Sequence, residues 1–584
     1  MQRPPSSPVQ LHAVAGASSP ALPAWREYLF PCVLACFFAV IGTFPYGYGY
    51  ATAPEGKAFM GFVGRGTCGL NGYLMFAKQV QDGQHLLENR TTPEPLPRTY
   101  FNIEWWLFGI VAKLTGLSLI VTFHLDRIFT VFFYCLSLYY LAARCLPTPG
   151  WRQLAVALIT LGSGLGWVLL LATSLTGLEL PQTFDWPAID LQGVSIFAYL
   201  VNQPHFVRAA ACAALTYAFL LDGERTGKLR YFVFSGLAAF AHSMIRPYHI
   251  AELYLVYALF PVLLWIRGAG LEAPAAWRRF MNYGVAGLAH SPAALFYLYL
   301  AIEGTLGMAG WRRQSRFLFS TVLWMGLPFL LVCVHFAWNG LCHWRSARPA
   351  TLLLGLWLGI AWLLVNTFPF FVAGHEAAWG AYTTAPVLLA LIGPVPAALR
   401  WLQVHGRGRL RFTSPLARRA MAGILVLACM PSSVYAYARM FTTLHHPVYP
   451  QHYYLDKDTL AALRWLEAHS SPEDVVLASH NTSQYIPRFS HNKVVTYHDM
   501  LTANYAEKTA QVKQFFANQG DDAFKRWLVQ HYNVRFILYG PEEREEGAMR
   551  PEDHPWMQQV LQTGQATVWA VQKAGSERNH LKSN

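Results

Sequence analysis

Charge is scarce in this chain. Only 13% of its 584 residues are Asp, Glu, Lys or Arg, where a soluble domain carries about a quarter, and that excludes a single large water-facing globule. Cysteine is sparse too: Cys32, Cys36, Cys68, Cys135, Cys145, Cys212, Cys333, Cys342 and Cys429, with no CxxC pair and none in the last 155 residues. Neither a disulfide framework nor a thiolate metal site is supported. The C-terminal part has no GxGxxG and no GxxxxGK[ST], so a phosphate-cradling nucleotide loop lacks support there. No internal repeat and no recurring pair of Gly/Pro-broken spans is visible, which argues against a transporter.

What the chain has instead is apolar length. Hydrophobic residues make up 54% and aromatics 15%, with mean hydropathy +0.25, and many runs reach the ~20 residues that cross a bilayer. About eleven spans are expected: Tyr28–Phe44, Ser118–Leu141, Leu154–Thr173, His205–Leu221, Tyr231–Met244, Ile250–Ile266, Met281–Ile302, Phe317–Trp338, Thr351–Phe371, Ala377–Leu399 and Ala420–Tyr437. The net charge of +13 is distributed unevenly. From His452 onward 14 Lys+Arg face 16 Asp+Glu, leaving the rest at +15. That excess lies between apolar runs, as the positive-inside rule requires, and not on a nucleic-acid-binding face. Alternating sides puts every basic loop inside except Arg312, Arg313 and Arg316, with the N-terminus inside and the C-terminus outside.

The expected organisation is a disordered segment 1–25, a transmembrane domain 26–440 with a large outer loop 45–117, and a soluble domain 441–584. The last carries short β-branched runs (DVVLAS, KVVTY, VRFILYG, ATVWAV) between helical stretches such as LAALRWLEAH, the mark of a small α/β domain. The fold class is therefore mainly α.

The polar stretch from Gly69 to Asp126 organises the rest. Leu70, Tyr73, Leu74, Ala77 and Val80 form a helical stripe opposite Lys78, Gln79, Gln81 and Asp82. Gly83 ends that helix, TTPEPLP forbids regular structure, and Phe101–Leu114 returns towards the bilayer, together a lid lying on a membrane surface. Its carboxylates Asp82, Glu88, Glu94 and Glu104 are candidate bases, Glu94 foremost because two prolines fix its direction; the competing reading is solvated loop acids. Arg246 and His249 flank Pro247 at a membrane edge, where a buried cation calls for an anion. His205, after Pro204, starts a span on the same side and serves either there or as a packed cap. His375 and Glu376 are neighbours that cannot share a helix face, a poor metal pair but the one available. Asp126 and Arg127 read as an internal ion pair.

Tyr73, Leu74, Gln79, Asp82, Gly83, Leu87, Asn89, Thr92, Glu94, Pro95 and Asn102, with Gly162–Trp167 (GSGLGW), Pro204-His205-Phe206, Tyr485-Ile486-Pro487 and NYAEKTAQVKQFF, resemble a bacterial branch of the GT-C superfamily. The resemblance spans nearly the whole chain through short motifs. It implies a multi-pass inner-membrane glycosyltransferase with a cytoplasmic N-terminus and an extracytoplasmic C-terminal domain. Its partners would be a polyprenyl-phosphate-linked sugar and membrane lipid, with no nucleic acid, and a loop carboxylate would act as base or as ligand to a divalent metal ion. This chain departs from the pattern in three places: Gly69 stands where relatives carry Asp, Arg246-Pro247-Tyr248-His249 where they carry His-Pro-Tyr-Asp, and Gly374-His375-Glu376 where they carry paired Arg. An envelope glycosyltransferase and a catalytically silent binder or scaffold of the same fold both remain open.

Overall fold

The computed structural model describes residues 24–64, 67–162, 196–267, 273–303, 347–367, 374–397, 414–446, 453–498, 501–519, 521–547 and 549–572, with 167, 171, 174–177 and 399 besides. The expected span Phe317–Trp338, the basic cluster Arg312, Arg313 and Arg316, most of the loop 174–203, the Arg-rich loop 400–411 and the N-terminal segment lie outside the described residues.

Apolar length makes helices and helices make the membrane domain. Five described helices are long and apolar enough to cross a bilayer: Trp25–Ala51, Leu119–Cys145, Pro204–Thr226, Pro247–Arg267 and Pro274–Glu303. A sixth results if Leu416–Cys429 and Pro431–His445, bent by 47°, count as one span. The elements that build the site are α1 (Leu29–Ile41), α2 (Phe44–Ala51), α3 (Thr67–Gln81), α4 (Ile103–Thr115), α5 (Leu119–Cys145), α6 (Pro204–Thr226), α7 (Leu229–Ile245) and α8 (Ile250–Arg267). One apolar core runs through them, from Phe38 and Leu74 to Tyr139 and Tyr217.

The large first loop carries strand β1 (Lys57–Phe59), which pairs antiparallel with β2 (Tyr454–Asp456) at the head of the C-terminal domain. That domain is a five-stranded sheet in the order β4-β3-β5-β7-β6, with β3 Val475–Leu477, β4 Lys493–Val494, β5 Val534–Tyr539, β6 Met557–Thr563 and β7 Ala566–Val571. β3, β4 and β5 run parallel, and β5, β7 and β6 antiparallel. The four apolar runs read from sequence are β3, β4, β5 and β7. β6, MQQVLQT, is an edge strand whose polar side chains face out, so it has little hydrophobic signal.

The helix ending at Gly83 is α3, and Gly83 takes the left-handed backbone (φ 103°) that a side chain disfavours. Its surroundings differ from expectation. The polar face is partly covered: the C-terminal domain reaches Lys78 and the loop seals Gln79, while Asp82 stays exposed. Lys78 pairs with Glu467 at 2.8 Å. Gln79 is buried and exchanges hydrogen bonds with both backbone groups of Glu88, 2.9 Å each. Asn71 accepts from Arg488 at 2.7 Å. α4 packs on α3 at Gly109, where a Cβ would meet Val80 Cβ at 2.4 Å. Asn102 caps α4 by accepting from the backbone of Glu104 and Trp105.

Candidate functional site

Three groups of charged side chains surround the large first loop, and they differ in how their charges balance.

The first joins the loop to the C-terminal domain. The loop backbone runs along the sheet edge, Val494 N donating to Arg90 O at 3.2 Å. Around it, Glu88 pairs with Lys493 (2.6 Å) and Arg98 (3.4 Å). Glu473 takes Arg98 (2.6 Å) and Lys493 (2.9 Å). Glu94 pairs with Lys508, which also donates to Thr92 Oγ1 at 3.0 Å. Asp82 pairs with Lys78, one helical turn back, at 2.8 Å. Burial pushes the Glu94 carboxyl up, but hydrogen bonds from Lys508 and Thr92 outweigh it and hold the group below its ordinary value. Asp82, Glu88 and Glu94 are thus each matched to a cation.

The second group lies where α4, α5 and α6 meet. Arg208 on α6 pairs with both Glu104 of α4 and Asp126 of α5, and donates to Thr130 Oγ1 at 2.7 Å. Two carboxylates share one guanidinium, and Glu104 Oε1 and Asp126 Oδ2 are buried with no hydrogen-bond partner. α4 lies outside the candidate spans. There burial drives the Glu104 carboxyl up and the neighbouring Asp126 adds to it; Arg208 opposes, leaving it at about 7. Asp126 does not pair with Arg127, as read from sequence, because consecutive helical residues point about 100° apart.

Beside this triad, one turn back on α6, His205 sits among Tyr73 (4.7 Å between centroids), Trp105 (5.3 Å) and Phe206 (4.5 Å), with neither ring nitrogen hydrogen-bonded. Arg246 lies over the Phe206 ring at 3.7 Å. Asn102 Nδ2 donates to Ile245 O at 3.2 Å, tying the start of α4 to the turn that carries Arg246. His249 Nδ1 meets Glu252 at 3.1 Å, and Glu252 is held in turn by Tyr217 and Trp357. Of the sequence candidates, then, Glu104, His205, Arg246 and His249 lie on neighbouring elements, α4, α6 and the α7–α8 turn. Asp82, Glu88 and Glu94 go to the junction with the C-terminal domain. The side chains of His375 and Glu376 lie outside the described residues.

The third group is cationic. Arg127, 1% exposed, donates Nη2 to Thr43 Oγ1 at 3.1 Å, while Nε and Nη1 are buried without a partner. Arg488 of the C-terminal domain is buried between the Phe62 and Phe489 rings (4.9 and 4.6 Å). It donates to Asn71 Oδ1 (2.7 Å) and Met60 O (3.2 Å).

Sequence reasoning missed Arg208 and Arg488 and misassigned Asp126 and Arg127. A lone Arg four residues into the apolar run HFVRAAACAAL was the available signal for Arg208, since an intramembrane charge marks function by default. For Arg488, inside IPRF, no signal was available.

To a divalent ion the triad offers two open carboxylate oxygens, Glu104 Oε1 and Asp126 Oδ2, beside the cation Arg208 already supplies. Among the described residues no three His, Cys, Asp or Glu converge on a metal position.

No family model and no curated protein matches the sequence. Solved structures do match its fold. The oligosaccharyltransferase of Archaeoglobus fulgidus, solved with a tethered acceptor peptide containing the NVT sequon, aligns with TM-score 0.51 at 12% identity, covering 89% of this chain and 70% of that one. The mycobacterial arabinofuranosyltransferase AftD aligns with TM-score 0.55 at 13% identity, covering 95% of this chain and 40% of AftD. The chain thus shares its fold with an oligosaccharyltransferase and an arabinofuranosyltransferase.

Proposed function

We propose that this GT-C-fold chain is a membrane glycosyltransferase that moves a sugar from a polyprenyl-phosphate carrier to an envelope acceptor on the outer face of a bacterial inner membrane. The observation that carries the reading is the buried Glu104–Arg208–Asp126 triad, with two open carboxylate oxygens against one cation. A base must be near-neutral in pKa, dry and aimed at an acceptor, and Glu104 meets the first two conditions.

In this reading Glu104 takes the proton of the acceptor hydroxyl as its oxygen attacks the anomeric carbon. The bond from that carbon to the phosphate oxygen breaks, its electron pair stays on the phosphate, and a single displacement inverts the centre. Arg208 holds Glu104 and Asp126 in place and keeps the cluster at one net negative charge. Arg246, with His249 oriented by Glu252, faces the departing phosphate.

A second reading has its own support. With Gly69 in the helix and Asp82, Glu88 and Glu94 all matched to cations, the chain is a binder of lipid-linked glycan without turnover. The test is Glu104→Gln in full-length protein in nanodiscs, assayed for release of polyprenyl phosphate from undecaprenyl-phosphate-linked sugars with membrane acceptors. Loss of a general base lowers turnover by ~10²–10⁴. Turnover unchanged in E104Q removes Glu104 from the mechanism, and wild type that binds the donors without turnover favours the binder.

A further inference from the structure

We infer that the membrane domain carries an anionic-phospholipid site at the end opposite the Arg246 turn, in which Arg144 and Arg225 take the phosphodiester of a headgroup such as phosphatidylglycerol. The inference goes beyond the proposed function and does not rest on it.

Where the triad sets two acids against one cation, this end does the reverse. Arg144, in the last turn of α5, gives Nε to Asp222 Oδ1 (3.0 Å) and Nη2 to Oδ2 (2.9 Å). Arg225, in the last turn of α6, gives Nη2 to the same Oδ1 at 3.1 Å. Because both donors reach one oxygen, the two guanidiniums lie close enough for a single phosphate to bridge them. Among the described residues Asp222 is the one carboxylate within ion-pair distance of either arginine, so the cluster keeps one positive charge in excess. The neighbouring pair does not offset it. Glu27 takes Arg152 Nη1 at 2.7 Å, and Arg152 Nε and Nη2 donate to the carbonyls of Leu146 and Pro147.

Open donors accompany that charge. The Arg144 side chain is 4% exposed, and its Nη1, the corner of the guanidinium that Asp222 does not reach, is buried with no hydrogen-bond partner. Such a nitrogen is costly until an acceptor meets it. Arg225 is 31% exposed and bonds Asp222 through Nη2 alone, so its remaining donors can turn to the same acceptor. The Tyr28 hydroxyl lies within electrostatic reach of Arg144 and Asp222 and adds a neutral donor.

The position fits a lipid. Arg144 lies 18 residues beyond Asp126 on α5, ~27 Å along the axis, close to the ~30 Å hydrocarbon thickness of a bilayer. The cluster is therefore at the other lipid–water boundary from the triad, on the side that the basic loops mark as inside. Beside it Trp25 (79% exposed), Leu29 (67%) and Leu229 (50%) offer apolar surface for acyl chains, and Lys228 and Arg230 are exposed cations. A phosphodiester carries one negative charge, equal to the excess, and its chains run down those apolar faces; free phosphate gains nothing from them.

The probes are phosphatidylglycerol, phosphatidylcholine and inorganic phosphate, each titrated into full-length protein in neutral detergent. Native mass spectrometry counts retained lipid, and thermal unfolding reads apparent affinity. Phosphatidylglycerol is expected to be retained and to raise Tm, and phosphatidylcholine to do neither. Arg144→Gln abolishes the retention. Arg225→Gln cancels the excess charge while Asp222 keeps Arg144 and Tyr140, so the fold survives and the apparent affinity falls about tenfold. Arg246→Gln, at the other face, leaves that affinity unchanged. Equal retention of phosphatidylcholine, undiminished affinity in R225Q, or a rise in Tm with inorganic phosphate alone overturns the inference.

Discussion

The junction between the large first loop and the C-terminal domain and the triad between α4, α5 and α6 both contain clustered carboxylates, yet they are built on opposite plans. At the junction Glu88, Glu94 and Glu473 meet Lys493, Lys508 and Arg98, and each acid has its cation. In the triad two acids share Arg208 and keep open oxygens. The difference teaches that matched charge holds surfaces together, and unmatched buried charge is where binding or proton transfer can occur. Carboxylate density in a loop is therefore a poor guide to chemistry; charge balance after folding is a better one.

The contrast breaks most visibly at its centre. Arg208→Met leaves Glu104 and Asp126 buried without a cation, and removing one partner of a buried ionic group costs about 3–5 kcal/mol; chemical or thermal unfolding of the full chain reads this directly. A smaller effect sharpens it through pH. In the proposed mechanism Glu104 is the base and works only when ionised, and burial raises its pKa to about 7. Turnover therefore falls below neutrality, approaching about tenfold per pH unit, in a profile that E104D shifts and junction variants leave alone.

The smallest effect is at the junction. Lys508→Ala strips the cation from a Glu94 that is 40% exposed, so the loss is ~1 kcal/mol, because water substitutes for the partner. Glu94 and Glu473 both have pKa values held below the ordinary one, Glu473 chiefly by the hydrogen bond from Lys493. A depressed acid stabilises the fold above its unfolded pKa of about 4.3 and loses that contribution as pH falls through the lower folded value. Docking of the C-terminal domain, followed by protease susceptibility, is expected to be flat near neutrality and to weaken in acid. A K508A variant as stable as wild type, or weakening that begins near neutrality, would erase the contrast.

Sequence by itself determined the membrane class, the loop–helix–Gly83 sequence, four of the five sheet strands and the turn carrying Arg246. Each of these depends on local periodicity, a backbone rule or apolar length, all written in adjacent residues. It also marked Glu104, His205, Arg246 and His249 as residues worth watching. Only the tertiary structure decided which carboxylates are spent on the junction and which remain open. Lys493 and Lys508 are about 400 residues from Glu88 and Glu94, and Arg208 is 104 from Glu104 and 82 from Asp126. Side-chain charge balance is a property of partners brought together by folding, and no spacing along the chain encodes it.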